Sequence, residues 1–167
     1  MGRDSKIIDL TAAKRSAKPS KRSIELKMAL KDFISMHGDT YYEGPDTDAL
    51  KQYFRLSNGM CVEQKILFGA DDCTCYSTLH IRARPDETGL IHSLVMEANA
   101  INRELNYGNF EVDTSTGEIM FRSHYSPGNM IYMEDIDVLL GYPRHIISIH
   151  GARFREILEE RGAHIAQ

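Results

Sequence analysis

Cys73-x-Cys75, with His80 five residues further on, is the grouping that most invites a metal, since thiolates and imidazole are the ligands of zinc. Alternation argues against it. On a strand, residues two apart point the same way with α-carbons about 7 Å apart, at the limit for a disulfide and too wide for easy chelation of one ion. His145 and His150 stand five apart on a predicted helix, not the i, i+4 spacing that sets two imidazoles on one face. Asp71 and Asp72, Asp135 and Asp137, and Glu159 and Glu160 are paired carboxylates on turns and helix ends, where such neighbours are solvated, so no general acid and base stand out. The chain has no G-x-S-x-G elbow, no G-x-x-x-x-G-K-[ST] phosphate loop and no glycine-rich dinucleotide fingerprint after a strand. The expectation is a protein with no catalytic residue, no metal and no cofactor, and therefore not an enzyme.

What chemistry the chain carries must then lie in a surface, and the hydrophobic pattern says which elements build it. Leu90, Ile91, Leu94, Val95, Ala98, Ile101 and Leu105 recur at helical spacing opposite His92, Ser93, Glu97, Asn99, Arg103 and Glu104, with a stop expected at Asn106-Tyr107-Gly108. Alternation takes over. Phe110 and Val112 face away from Asn109, Glu111 and Asp113; Thr114-Ser115-Thr116-Gly117 turns the chain; Ile119, Phe121 and Tyr125 alternate with Glu118, Arg122 and His124.

Before this unit, Ser23 is the expected N-cap of a helix carrying Leu26, Ala29, Leu30, Phe33 and Ile34, which stops at His37-Gly38, and Asp39 to Asp48 reads as a loop. Three strands follow. Leu50, Phe54 and Leu56 alternate with Lys51, Tyr53 and Arg55, and Asn58-Gly59 predicts a type I′ hairpin turn. Met60, Val62, Ile66 and Phe68 alternate with Cys61, Glu63, Lys65 and Leu67; Cys73, Cys75, Leu79 and Ile81 alternate with Thr74, Tyr76, Thr78, His80 and Arg82. At the C-terminal end, Glu134-Asp135 open a helix that Gly141 and Pro143 interrupt, with Pro143 in the first turn of a second piece that ends near Gly162. The predicted fold class is α+β in the order αβββαββα: a five-stranded, mainly antiparallel sheet with helices packed on one face.

A chain of 167 residues with 42% hydrophobic content suits one domain with a proper core, expected over residues 23–167. Residues 1–22 hold seven Lys and Arg against Asp4 and Asp9, a charge of +5, so the remainder carries −9 of the total of −4; the segment reads as a disordered basic arm with one apolar island, Ile7, Ile8 and Leu10. Nucleic-acid binding through that arm is the weaker expectation beside a solubilising tail. No apolar run approaches the roughly 18 residues of a membrane span. The N-terminus lacks the apolar segment of a secretory signal, and Lys6 stands where a myristoylation signal has Ser or Thr. Three cysteines, odd in number, argue for a reducing compartment, so the expected location is the cytoplasm.

The run Asn102-Arg103-Glu104-Leu105-Asn106-Tyr107-Gly108-Asn109-Phe110-Glu111-Val112-Asp113, followed by Gly117-Glu118-Ile119-Met120-Phe121-Arg122, resembles the YbjN domain family, as do the helix near Glu134 and the Tyr142-Pro143 step. The resemblance covers roughly Ser23 to Leu158 and implies a type III secretion chaperone-like fold. It implies a regulatory role of the kind described for candidate sensory-transduction regulators, with no established catalytic site to carry over. Asn102, Gly108, Phe110, Asp113 and Gly117 match the motif and are expected to be structural: the glycines in turns, Phe110 in the core, Asn102 bonding the backbone beside the helix end.

A sheet covered on one side leaves the other free. Tyr53, Arg55, Lys65, Leu67, Tyr76, His80, Met120 and Arg122, with Lys51 and Arg82, fall on that side, and Tyr, Met and Arg are enriched where proteins meet. The expected function is a non-catalytic, homodimeric protein-binding module of the YbjN type, engaging a partner polypeptide through this face or a helix. The alternative is a secretion-type chaperone holding an extended segment of a client.

Overall fold

Ser20 starts the structure: its hydroxyl accepts the Ser23 amide at 3.0 Å and caps helix α1, Lys21–Met36. The computed structural model describes residues 20–43 and 49–160; residues 1–19 of the expected arm and the expected stop at Gly162 lie outside them. Lys21 and Arg22 belong to the helix and not to the arm, and Ser23 is not the cap, because a hydroxyl one turn earlier already holds its amide. Leu26, Leu30 and Ile34 form the buried stripe, and Gly38, at φ 73°, follows the last turn as expected.

The strands are β1 (Tyr42–Glu43), β2 (Ala49–Arg55), β3 (Cys61–Phe68) and β4 (Cys73–Arg82); helix α2 (Thr88–Asn102) leads to β5 (Asn109–Val112) and β6 (Glu118–Tyr125), and α3 (Met133–Glu160) ends the fold. The sheet runs β1-β2-β3-β4-β6-β5 with every neighbouring pair antiparallel. Among the described residues it has six strands where five were expected. β1 is only two residues long and shows no alternation; it is held from α1 by Lys27 and Lys31, both on the Glu43 carboxylate, whose pKa they lower.

All three helices pack on one face. Met60, Leu79, Leu94, Phe110, Phe121, Ile147 and Phe154 belong to one core cluster, built with α2 and the second half of α3; Leu26, Leu30, Ile66, Cys75, Ile136 and Leu139 belong to the other, built with α1 and the first half of α3.

The C-terminal helix is continuous for 28 residues, not broken in two. Pro143 has no amide hydrogen to give the Leu139 carbonyl, and its ring crowds that turn, which ordinarily costs about 3 kcal/mol and kinks or ends a helix. Here the sheet supplies replacements. Ser123 on β6 donates its hydroxyl to the Leu139 carbonyl at 3.3 Å, and Gln64 on β3 donates its amide to the Leu140 carbonyl at 3.2 Å and to Ser77 at 3.1 Å. Gln52 in turn donates to Gln64. A buried polar row that would otherwise weaken a core thereby satisfies the backbone that the proline exposes.

The β2–β3 hairpin also departs from expectation. Asn58 keeps a negative φ and only Gly59 is left-handed, at 81°, so the turn is not type I′. The loop is the three residues Ser57 to Gly59, closed by Gly59 N–H to the Leu56 carbonyl at 2.9 Å and Leu56 N–H to the Met60 carbonyl at 2.8 Å. Asn58 is diverted to tertiary work: its side chain accepts the Met60 amide at 3.0 Å and donates to the Ser148 carbonyl of α3 at 3.3 Å.

Candidate partner-binding face

Alternation on β2, β3, β4 and β6 sends one set of side chains into the helices and the other outward, as the sequence predicts. All eight expected face residues, Tyr53, Arg55, Lys65, Leu67, Tyr76, His80, Met120 and Arg122, stand on the outward side. Lys51, Lys65, Tyr76 and Arg122 sit directly opposite one another across four strands, and Tyr53, Glu63, Thr78 and Met120 form the next row. Tyr53 is 50% exposed and Leu67 37%.

Tyr42 was missed because its segment reads as a loop, yet β1 adds it to the face at 62% exposure, its ring 5.9 Å from that of Tyr53. His80 meets the Tyr53 ring edge-on at 6.4 Å. Tyr53 donates to the Glu63 carboxylate at 2.7 Å, with the Lys51 ammonium 3.4 Å away. Burial works against the Glu63 charge, but Tyr53 and Lys51 outweigh it and hold its pKa below the usual carboxylate value. Arg122 pairs with Glu111 at 3.3 Å. The face carries Lys51, Arg55, Lys65, Arg82 and Arg122 against Glu63, Glu111 and Glu118, a local surplus of positive charge on a body that is acidic overall.

β4 separates the would-be metal ligands. Cys73 and Cys75 are buried on the helix side, where burial pushes both thiols up to about 12, and His80 is on the opposite face. Among the described residues no three His, Cys, Asp or Glu side chains form a metal cluster, and no helix is long and apolar enough to cross a membrane. His145 is exposed, while His150 lies against Phe110, ring centroids 6.4 Å apart.

Burial, then Arg153, lowers the His150 pKa from 6.5, and the carboxylates of Glu104 and Glu97 do not reverse this. The folded state therefore prefers the neutral ring. Its contribution to stability is complete above pH 6.5 and declines as pH falls through that value toward the lower folded pKa. His150→Gln, neutral throughout, is expected to flatten the dependence of the urea midpoint on pH below 6.5; an unchanged slope would show that the imidazole does not contribute.

The motif residues support the face from behind. Asn102, the last residue of α2, gives its amide to the Phe110 carbonyl at 2.9 Å and accepts the Phe110 N–H at 2.7 Å. The helix ends there and not at Asn106 as expected, closing in tighter turns in which the Glu104 N–H donates to the Ile101 carbonyl at 2.9 Å and the Leu105 N–H to that of Asn102 at 3.4 Å. Phe110 is buried on Phe121 and Phe154. Asp113 accepts the Ser115 and Thr116 amides and the Ser115 hydroxyl, which lowers its pKa and shapes the β5–β6 turn. Gly108 and Gly117 both adopt positive φ, 66° and 72°.

No family model and no curated protein sequence matches the chain. Among solved structures it is similar to the crystal structure of YbjN from E. coli, described as a candidate transcription regulator, with a TM-score of 0.55 and 16% identity over 82% of this chain and 91% of that one. The likeness is one of fold: the chain has a YbjN-like α+β architecture, in agreement with the resemblance carried by Asn102 to Arg122.

Proposed function

We propose that the protein is a non-catalytic, cytoplasmic regulatory module that binds a partner polypeptide through the uncovered face of its sheet. The observation that carries this reading is the face itself, where Tyr42, Tyr53, Tyr76, Leu67 and Met120 lie among five Lys and Arg on strands held rigid from behind. Aromatic and arginine side chains on a rigid base dominate binding energy at interfaces, and the positive surplus selects an acidic segment of the partner. The description of YbjN as a candidate transcription regulator supports a regulatory role.

The module is proposed to be a homodimer. Two copies meeting face to face would set net positive charge against itself, so the second copy is assigned to the helical layer, where Ile24, Met28, Met133 and Val138 are exposed. Sedimentation of the chain as a monomer at high concentration would remove this part of the reading.

The partner reading is tested by affinity capture from the native cell, followed by titration of the captured protein with wild type and with Tyr53→Ala and Lys65→Glu variants. Tyr53 is exposed but bonded to Glu63, and Lys65 is half-buried, so each variant is titrated at a temperature where its own melt shows it folded. Each substitution is expected to weaken binding roughly tenfold or more, since interface anchors cost about 2 kcal/mol or more when truncated. Equal binding by all three proteins would refute the assignment.

A further inference from the structure

Strand β4 does not lie flat against its neighbours. Thr78 pairs with Met120 and the next pair is Arg82 with Glu118, so four steps on β4 oppose two on β6, while on the other side β3 stops at the Val62–Leu79 pair. The extra residues interrupt the ladder between Thr78 and Arg82, as β-bulges do beside binding sites. Between this irregular stretch of β4, the β2–β3 turn at Gly59 and Arg155 of α3 runs a cleft of about 730 Å³, within the range of small-ligand sites.

Three elements deliver an arginine to it: Arg55 from β2, Arg82 from β4 and Arg155 from α3, with His80 beside them. Two carboxylates also line it against the three arginines, and the pairing of Glu118 with Arg82 leaves Arg55 and Arg155 as the surplus. Glu63 is engaged by Tyr53 and Lys51, and Glu118 stands 3.8 Å from Arg82.

Arg155 is the telling residue. Its two sister arginines on α3 each hold a carboxylate at 2.6 Å, Arg144 that of Asp39 and Arg153 that of Glu97. Arg155 is half-buried against the cleft and has no ion-pair or hydrogen-bond partner among the described residues. A guanidinium in that position keeps its planar fork of donors for a ligand, and the fork matches the oxygens of a phosphate.

We propose that this cleft binds a small organic phosphate of about nucleotide size, its phosphate held by Arg155 with Arg55 and Arg82. The site goes beyond the partner reading and stands without it, although Arg55, His80 and Arg82 belong to the partner face as well.

Isothermal titration calorimetry of the full chain at about 0.15 M ionic strength, with AMP, inorganic pyrophosphate and adenosine as probes, tests it directly. AMP or pyrophosphate is expected to bind saturably with a Kd of about 1 mM or tighter, and adenosine not at all. Arg155→Gln, and independently Arg55→Gln, are expected to weaken that binding roughly tenfold or more at an unchanged melting temperature. Absence of binding by both phosphate probes, equal binding of adenosine, or undiminished binding by both variants would overturn the proposal. None of these results depends on whether a partner polypeptide has been captured.

Discussion

Leu94→Asp is expected to leave the chain unfolded. Leu94 is fully buried in the hydrophobic core cluster built with α2, so a carboxylate there is stripped of its water among apolar side chains. Truncating a buried leucine alone costs about 2 to 5 kcal/mol. Adding an unpaired charge, or forcing it to take up a proton, adds several more, and a domain of this size has only about 5 to 15 kcal/mol to lose. Circular dichroism of the variant should show no cooperative melt. Leu94→Met, close in volume, should cost less than about 1.5 kcal/mol and melt cooperatively. A soluble, cooperatively melting Leu94→Asp protein would mean that α2 is not a core element.

Gly117→Ala has the second largest expected effect, and Gly38→Ala provides its control. Both glycines are left-handed, at φ 72° and 73°. A Cβ on Gly38 meets nothing within 4 Å, so that substitution costs only the conformational penalty of about 1 to 2 kcal/mol. A Cβ on Gly117 falls 2.1 Å from the Ala83 carbonyl oxygen and 2.8 Å from its carbon. Those are backbone atoms of a buried residue whose N–H donates to the Gly117 carbonyl at 3.2 Å, so the clash cannot be relieved by rotating a side chain. The β5–β6 turn must lift away from the end of β4, which adds about 1 to 3 kcal/mol. Urea unfolding of the two variants should differ accordingly, with Gly117→Ala the less stable; equal midpoints would show that the turn accommodates a methyl group.

Which parts of this molecule could be read from residue order follows from where the determining contacts lie. The two faces of the sheet were legible because inside and outside alternate residue by residue along β2, β3, β4 and β6, and no distant contact can change that period without a bulge. The candidate face residues therefore stand on the side that alternation assigns them, whereas Tyr42 gives no such sign, since two residues carry no period. Asn58 and Ser20 show the limit at turns and caps. The residue types announce that something turns or starts there, while the particular hydrogen bonds, to Ser148 in one case and to Ser23 in the other, choose among the local options. Pro143 signals a break only within its own helix; Ser123 and Gln64, distant in sequence, supply what the proline removes. The arginine-lined cleft lies where β4 and β6 change register, a feature with no signature in either strand by itself.

The paired hydrogen bonds between Asn102 and Phe110 reach past the local geometry. β5 is an outer strand, and the N–H and C=O of Phe110 that Asn102 occupies are the groups by which another chain would extend the sheet. One carboxamide thus stands in for the missing neighbour. It takes the middle of that short margin out of reach of stray polypeptide, including further copies of this protein, and so works against open-ended ribbons along β5.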